Sequence, residues 1–289
     1  MMLKNIFFNT NNKLRSIWFI PIFFILLALL LFPTILIAQK YSTDVSIPIQ
    51  ATLIIIVTII CQLLRQKTII EITGRFNLSW LKQFLVGLAI GGTLMILPAL
   101  VLTIFGYAHW KAIDLSFSTI ISGFIIFAGV AIAEELLFRG FIFQRLIESL
   151  GQLPAQLIIA GLFLLTHINN PGMIGITKTL ASLNIFIASI MFGLAFIKTK
   201  SLAMPLGLHF MANFMQGSIL GFGVSGEKEQ SLFKAFSDKC PIWLNGGPFG
   251  LEASILGLLT VILITTIFYR WKAPLLAQAS ASAVYEKRF

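Results

Sequence analysis

Long apolar runs alternate with short polar connections along most of this chain. Eight of these runs are long enough to cross the roughly 30 Å of hydrocarbon in a bilayer as helices. The pattern predicts an all-α fold, a polytopic membrane bundle of about eight transmembrane helices. The runs cover residues 17–38, 47–64, 83–105, 117–148, 154–169, 180–197, 202–222 and 251–270.

The fourth run is the longest, and it carries charge near its middle. Glu134, Glu135 and Arg139 lie there among apolar residues. An ionised side chain costs at least about 2.5–3.5 kcal/mol at the centre of a membrane helix. We therefore expect these groups to have polar or charged partners and a functional role. Glu135 and Arg139 stand at i and i+4, acid first, and we expect them to pair. Glu134 lies about 100° around the helix from Glu135, so it is outside this pair and can serve another role. A purely structural ion pair between helices is the alternative.

Composition supports a membrane protein and excludes several other classes. Hydrophobic residues make up 57% of the chain and charged residues 11%, with a mean hydropathy of +0.93, whereas soluble domains carry about 25% charged residues. We therefore predict one membrane domain over residues 1–289 and no separate soluble domain. The formal charge of +10 is explained by basic residues in cytoplasmic loops, and we expect no nucleic-acid partner. Cys61 and Cys240 form no CxxC motif, which leaves a disulfide framework or a zinc knuckle unsupported.

The basic residues also predict an orientation. With the N-terminus inside, fourteen lysines and arginines fall on the cytoplasmic side and six on the other, which favours an N-in, C-in topology under the positive-inside rule. The first run is too long for a signal-peptide core and no A-x-A site follows it, so we predict an uncleaved first span. The cytoplasmic set is Lys4, Lys13, Arg15, Arg65, Lys67, Arg75, Lys82, Arg145, Lys198, Lys200, Arg270, Lys272, Lys287 and Arg288.

Two glycine patterns have different meanings. Gly87 and Gly91 form a GxxxG in the third run, which is typical of closely packed membrane helices. Gly221, Gly223 and Gly226 spell a dinucleotide-binding fingerprint. That motif requires a preceding strand, whereas here it follows a membrane helix, so we reject a dinucleotide site.

Three further polar residues lie within apolar runs and suggest a chemical site. His167 ends the fifth run, and His209 and Asn213 lie one turn apart on the seventh. A carboxylate and an imidazole together can deprotonate water. A second imidazole and a carboxamide on one helix face can donate hydrogen bonds to a developing oxyanion. The sequence has no HExxH and no GxSxG, so hydrolysis of an amide by activated water fits best.

These residues also carry a family resemblance. Their order on successive helices resembles the motifs of the CAAX protease and bacteriocin-processing family (CPBP or Abi), which includes the type II CAAX prenyl endopeptidases. Residues 245–252, Asn-Gly-Gly-Pro-Phe-Gly-Leu-Glu, resemble bacterial members as well. The resemblance covers about residues 115–255 as a catalytic core. The motifs are Glu134-Glu135-x-x-x-Arg139, Phe163-x-x-x-His167 and His209-x-x-x-Asn213.

The resemblance implies an eight-helix intramembrane endopeptidase with a site open to the cytosolic leaflet. Glu134 and His167 would activate water, His209 and Asn213 would stabilise the oxyanion, and Glu135 and Arg139 would orient the site. We favour a reaction without a cofactor, because a second His and an Asn on one helix face suit hydrogen-bond donors. The alternative is a divalent metal such as zinc held by Glu134, His167 and His209.

The substrate is less well defined than the reaction. A membrane-bound peptide or protein in the lipid bilayer is the expected partner, and the compact bundle suggests the inner (plasma) membrane of a bacterium. Peptide maturation, bacteriocin processing or self-immunity then fit better than prenyl-protein trimming. A non-catalytic immunity or scaffold protein is the main alternative. A proton-coupled transporter is less favoured, because the chain lacks paired interrupted helices in corresponding halves. The oligomeric state stays open.

Overall fold

The computed structural model describes residues 6–113, 116–237 and 239–272. Three of the predicted cytoplasmic charges, Lys4, Lys287 and Arg288, lie outside these described residues. The described chain is mostly helical. Its α-helices are α1 (Phe19–Lys40, after a 3-10 turn at Ser16–Trp18), α2 (Ile47–Leu64), α3 (Ile70–Thr73), α4 (Leu78–Ile104), α5 (Phe117–Glu134), α6 (Phe143–Leu150), α7 (Gln152–His167), α8 (Gly175–Thr199), α9 (Ala203–Phe214), α10 (Ile242–Asn245) and α11 (Ile255–Arg270).

Five helical segments among the described residues are long and apolar enough to cross a membrane, and two shorter apolar helices accompany them. This confirms a multi-pass helical membrane protein, while the count of eight spans and the N-in, C-in topology remain predictions. The five are Ser16–Lys40, Ile47–Leu64, Leu78–Ile104, Phe117–Leu150 and Gly175–Thr199, and the shorter two are Gln152–His167 and Ile255–Arg270.

Two boundaries differ from the hydropathy pattern for local reasons. Helix α4 begins at Leu78 rather than residue 83, because the Asn77 side chain caps it by accepting the Trp80 N–H at 3.0 Å. An N-cap of this kind stabilises a helix start that apolar content does not mark. At the other end of the chain, α11 begins at Ile255, where Ser254 accepts the Gly257 N–H at 2.9 Å.

A short antiparallel strand pair adds to the expected all-α architecture. Strand β1 (His109–Ala112) pairs with β2 (Phe233–Phe236), with His109 opposite Phe236. The indole N–H of Trp110 donates to the Leu220 carbonyl at 2.9 Å. These contacts join the connection after α4 to the long connection between α9 and α11.

Helices α4 and α9 cross with their backbones in direct contact. A methyl group on Gly87 would overlap the Met204 carbonyl oxygen, and one on Gly91 would overlap that of Leu208. From the other side, a methyl group on Gly207 would overlap the carbonyl of Phe84. The GxxxG pattern therefore marks a close helix crossing, as predicted. This crossing fixes the part of α9 that carries His209.

We expect Gly91→Ala to destabilise the protein by about 1–3 kcal/mol, because the added methyl must push two backbones apart. Gly161→Ala on α7 is the matched control, since no atom lies within 4 Å of the methyl it adds. That variant should be neutral or more stable by up to about 1 kcal/mol through helix propensity. Thermal unfolding in detergent measures both. Equal melting temperatures for the two variants would refute the close crossing.

A polar layer at one end of the bundle sets the depth of the site. The Leu202 N–H donates to the Thr73 carbonyl at 3.2 Å, and the Gln144 amide donates to the Ile72 carbonyl at 3.2 Å. Glu134 lies ten residues before Gln144, and His209 lies seven residues after Leu202. At 1.5 Å per residue, they stand about 15 and 10 Å above this layer. Both side chains therefore reach a similar level above this layer, and His209 Nε2 lies 3.7 Å from Glu134 Oε2.

An ion-pair cluster beside the same layer joins the first helices to α6. The Arg145 guanidinium lies 3.0 Å from Glu148 and 3.6 Å from Glu71, and Arg65 lies 3.4 Å from Glu71. The Ser16 hydroxyl donates to Glu148 at 2.6 Å. Because these charges balance one another, we assign the cluster a structural role in holding the end of the Phe117–Leu150 segment.

Candidate functional site

The acidic motif coincides with a change of helix type. The chain is α-helical up to Glu134, forms a π-helix over Glu135–Ile142, and returns to α-helix at Phe143. A π turn rotates the side chains that follow it relative to a regular α-helix, and such turns are frequent at functional sites. The hydropathy pattern predicts a continuous α-helix here, because apolar content does not distinguish the two helix types. A second π segment, Met215–Ile219, extends α9.

Glu135 and Arg139 form the predicted pair, and both side chains are completely buried. The guanidinium lies 3.2 Å from Glu135 Oε1 and donates to the Ser189 hydroxyl at 3.0 Å. It also stands over the rings of Phe163 and Phe192, with its central carbon 4.5 and 4.9 Å from the ring centres. Burial makes such a pair dependent on its partners, so this group holds α5, α7 and α8 together.

Glu135 also orients His209. Nδ1 of His209 lies 2.8 Å from Glu135 Oε1, and the imidazole stacks on Phe192 with ring centres 5.1 Å apart. The other ring nitrogen, Nε2, faces Glu134 Oε2 at 3.7 Å. His209 therefore lies between two carboxylates, one at each ring nitrogen.

His167 faces the same carboxylate from α7. Its Nδ1 lies 2.7 Å from the Phe163 carbonyl. Because a carbonyl only accepts hydrogen bonds, Nδ1 carries a proton, and in the neutral form of the ring Nε2 therefore has the lone pair. That Nε2 lies 4.0 Å from Glu134 Oε1. The Glu134 side chain is 26% exposed, whereas Glu135 has no exposure, so Glu134 is the carboxylate that a substrate or water can reach.

The structure thus brings Glu134, His167 and His209 together, with Glu135 and Arg139 beside them. Asn213 lies one turn beyond His209 on α9 and is partly buried. No hydrogen bond joins its side chain to another described residue. Its amide is therefore available to a molecule entering from that face of the helix.

Part of the chain matches the model of a known protein family. Residues 115–215 match the family model described as type II CAAX prenyl endopeptidase Rce1-like. The match confirms the family resemblance. No curated protein and no solved structure matches the chain. This matched segment, called the Rce1-like segment below, contains all six predicted site residues, and similarity to this family suggests peptidase activity at a coarse level.

Sequence reasoning missed residues that lie outside the Rce1-like segment. Glu252, in a 3-10 turn (Leu251–Ala253) before α11, accepts hydrogen bonds from the backbone N–H of Ser225 and from its hydroxyl, the latter at 3.1 Å. Burial raises the pKa of the Glu252 carboxyl, while the Ser225 hydrogen bonds and the nearby imidazoles of His167 and His209 oppose that rise. Ser189, which lies inside that segment and contacts Arg139, was also missed. Its hydroxyl in an apolar helix gave a weak signal, because Ser182 and several threonines share that helix, and no pattern pointed to Ser225.

The candidate site offers donor types that zinc takes, one carboxylate and two imidazoles. Bond lengths of about 2.0–2.2 Å place the donors around a tetrahedral zinc roughly 3.3 Å apart. The imidazole nitrogens stand farther than this from Glu134, at 3.7 and 4.0 Å. Within the part of the chain that the structure describes, no three His, Cys, Asp or Glu side chains form a metal-binding group.

Proposed function

We propose that this protein is an intramembrane endopeptidase that hydrolyses a peptide bond with water activated by Glu134 and His167. One observation carries the proposal: two imidazole Nε2 atoms face one partly exposed carboxylate, at 3.7 and 4.0 Å. These separations are too long for direct hydrogen bonds. A water molecule placed between Glu134 and His167 could bond to both.

In the proposed reaction, water loses a proton to Glu134 as its oxygen attacks the carbonyl carbon. His167, with a lone pair on Nε2, shares that base function. His209 and the Asn213 amide donate hydrogen bonds to the oxyanion that forms. The carbon–nitrogen bond then breaks, and the proton held at Glu134 passes to the leaving amine. Glu135 and Arg139 hold the His209 ring in place throughout.

The cluster differs from one that serves helix packing alone. A buried polar network that stabilises a fold satisfies its members with hydrogen bonds. Glu135, Arg139 and Ser189 come close to that description, with contacts of 3.2 and 3.0 Å, although Glu135 Oε2 and Arg139 Nε have no hydrogen-bond partner among the described residues. Glu134 does not, because it is the most exposed member and faces both imidazoles beyond hydrogen-bond length. This contrast favours a peptidase over a non-catalytic immunity or scaffold protein.

The proposal includes a substrate class and a location. The substrate is a membrane-associated peptide or protein, because the reactive side chains lie about 10–15 Å above the polar layer, inside the bundle. Under the predicted N-in topology, that layer is on the cytoplasmic side of a bacterial plasma membrane. The catalytic core spans residues 115–255 of a single membrane domain.

Cleavage in a defined membrane tests the proposal. The purified protein is reconstituted in liposomes with a set of lipid-anchored peptides, and mass spectrometry identifies any new carboxyl terminus. We expect one dominant cleavage position in at least one peptide. A pH gradient that drives solute uptake in the same liposomes, without cleavage, would instead support the transporter alternative.

We expect cleavage to survive removal of divalent metals. The proposal assigns every step to side chains of this chain, and the spacing of Glu134, His167 and His209 exceeds that of a zinc site. Incubation with 1,10-phenanthroline and then EDTA should leave the rate within about twofold of the untreated protein. Loss of cleavage that zinc restores would contradict the metal-free mechanism but not the peptidase.

A further inference from the structure

The connection between α3 and α4 packs against the residues that precede α9, at the end of the bundle that carries the polar layer. The Ser201 hydroxyl donates to the Thr73 carbonyl at 3.3 Å. A side chain on Gly74, whose φ is +80°, would overlap Ser201. Arg75 and Lys200 each lie one residue from this contact, and both are exposed. The contact therefore brings two basic residues to the same part of the surface.

A second contact adds the end of α11 to this surface. The Lys198 ammonium, in the last turn of α8, donates to the Trp271 carbonyl at 2.7 Å. Arg270 and Lys272 flank Trp271, and both are exposed. Lys198 is only two residues from Lys200. The basic residues at the ends of α8 and α11 therefore adjoin those of the first contact.

The charge of this surface is of one sign. The three segments that form it, residues 73–82, 198–202 and 269–272, contain no Asp and no Glu. Arg75, Arg270 and Lys272 form no ion pair with any residue that the structure describes. This separates the surface from the ion-pair cluster beside α6, whose charges balance one another. We call it the basic rim, and its members are Arg75, Lys198, Lys200, Arg270 and Lys272.

Aromatic side chains around the basic rim indicate that it lies at the level of lipid headgroups. Trp80 packs between Phe76 and Phe84, with ring centres 4.9 and 5.5 Å from its own, and its indole N–H donates to the Thr73 carbonyl at 3.1 Å. Phe76 and Tyr269 are 69% and 73% exposed. Trp and Tyr are enriched where a membrane meets water. Basic residues at that level attract anionic headgroups, so this setting favours a lipid over a soluble acidic peptide.

We propose that the basic rim binds the phosphate groups of anionic phospholipids in the adjoining leaflet, which is the cytoplasmic leaflet under the predicted topology. The guanidinium groups of Arg75 and Arg270 can each bind a phosphate through two N–H donors. The Lys272 ammonium adds a point charge. A lipid bound there links the start of α4 to the ends of α8 and α11. This binding is independent of peptide cleavage, so either proposal can fail without the other.

Native mass spectrometry of the protein in detergent counts bound lipids and tests the basic rim directly. Phosphatidylglycerol and phosphatidylcholine with the same acyl chains are titrated separately, and we expect tighter binding of phosphatidylglycerol. Each Lys or Arg near an anionic lipid contributes about fivefold in affinity, so Arg75→Gln/Arg270→Gln should weaken phosphatidylglycerol binding about 10–30-fold. Both residues are exposed, so this variant should melt at the parent temperature in phosphatidylcholine.

Lys13→Gln/Lys67→Gln is the matched control. It removes two exposed basic residues from the same end of the bundle but from outside the basic rim. We expect it to bind phosphatidylglycerol as tightly as the parent protein does.

Equal affinity of the parent protein for the two lipids would overturn the proposal. Equal weakening in the two double variants would overturn it too, because the general positive charge of that end would then explain the binding. Glycerol phosphate that binds as tightly as the whole lipid would assign the rim to a soluble phosphate. A polyglutamate peptide that binds at the rim while phosphatidylglycerol does not would assign it to an acidic peptide. Both of these results contradict a lipid site.

Discussion

Replacing Glu134 by glutamine is expected to reduce peptide cleavage by about 10²–10⁴-fold, the contribution typical of a positioned general base. Glutamine has nearly the same shape and can still face both imidazoles, but it cannot accept the proton that water must lose. Because Glu134 is partly exposed and outside the buried Glu135–Arg139 pair, the folded state should lose little stability. Rates in liposomes and melting temperatures in detergent measure the two effects.

Glu227→Gln is the matched control for this variant, since it makes the same chemical change at an exposed position of the 221–227 loop. It should cleave at the parent rate. Substantial turnover by a folded Glu134→Gln protein would remove Glu134 from the proposed mechanism. If Glu134→Gln instead unfolds, the residue serves packing, and the scaffold alternative gains support.

The sequence was sufficient to predict a helical membrane bundle, because the bilayer restricts which backbone conformations can cross it. Backbone groups inside hydrocarbon must be satisfied within the segment, so long apolar runs become helices. The pairing of Glu135 with Arg139 and the close crossing at Gly91 followed from helix geometry alone. These features depend on residues near one another in sequence or on a strong local pattern.

The features that the sequence did not predict depend on contacts between segments far apart in the chain, or on small differences in free energy between helix types. The choice between α and π turns at Glu135–Ile142 leaves no signal in hydropathy. The contact between Ser225 and Glu252 requires two loops, one after α9 and one before α11, to meet. The Gly221–Gly226 pattern follows a membrane helix rather than a strand, and its glycines have a packing role. A side chain on Gly223 would overlap the Pro248 carbonyl, so this loop can pack closely on the 246–253 loop.

Breaking the buried ion pair from one side is expected to have the largest effect on stability. Glu135→Leu leaves the Arg139 guanidinium buried without its carboxylate, at a cost of about 3–5 kcal/mol. Arg139→Met leaves Glu135 with His209 as its remaining partner and also removes contacts with Phe163 and Phe192, so a loss of similar order is expected. The double variant replaces the pair by apolar side chains of similar volume, and most of the lost stability should return.

The two single variants and the double variant should differ in activity in another order than they differ in stability. Glu135 accepts the hydrogen bond of His209 Nδ1 at 2.8 Å, and loss of an orienting carboxylate lowers turnover by up to about 10⁴-fold in comparable histidine sites. The double variant should therefore be stable but nearly inactive, whereas Arg139→Met, which keeps Glu135, should retain measurable cleavage. Unfolding in mixed micelles and cleavage in liposomes give the two readouts. A double variant that recovers both stability and activity would show that Glu135 and Arg139 serve packing only. It would also show that His209 does not need the Glu135 carboxylate for its part in the proposed reaction.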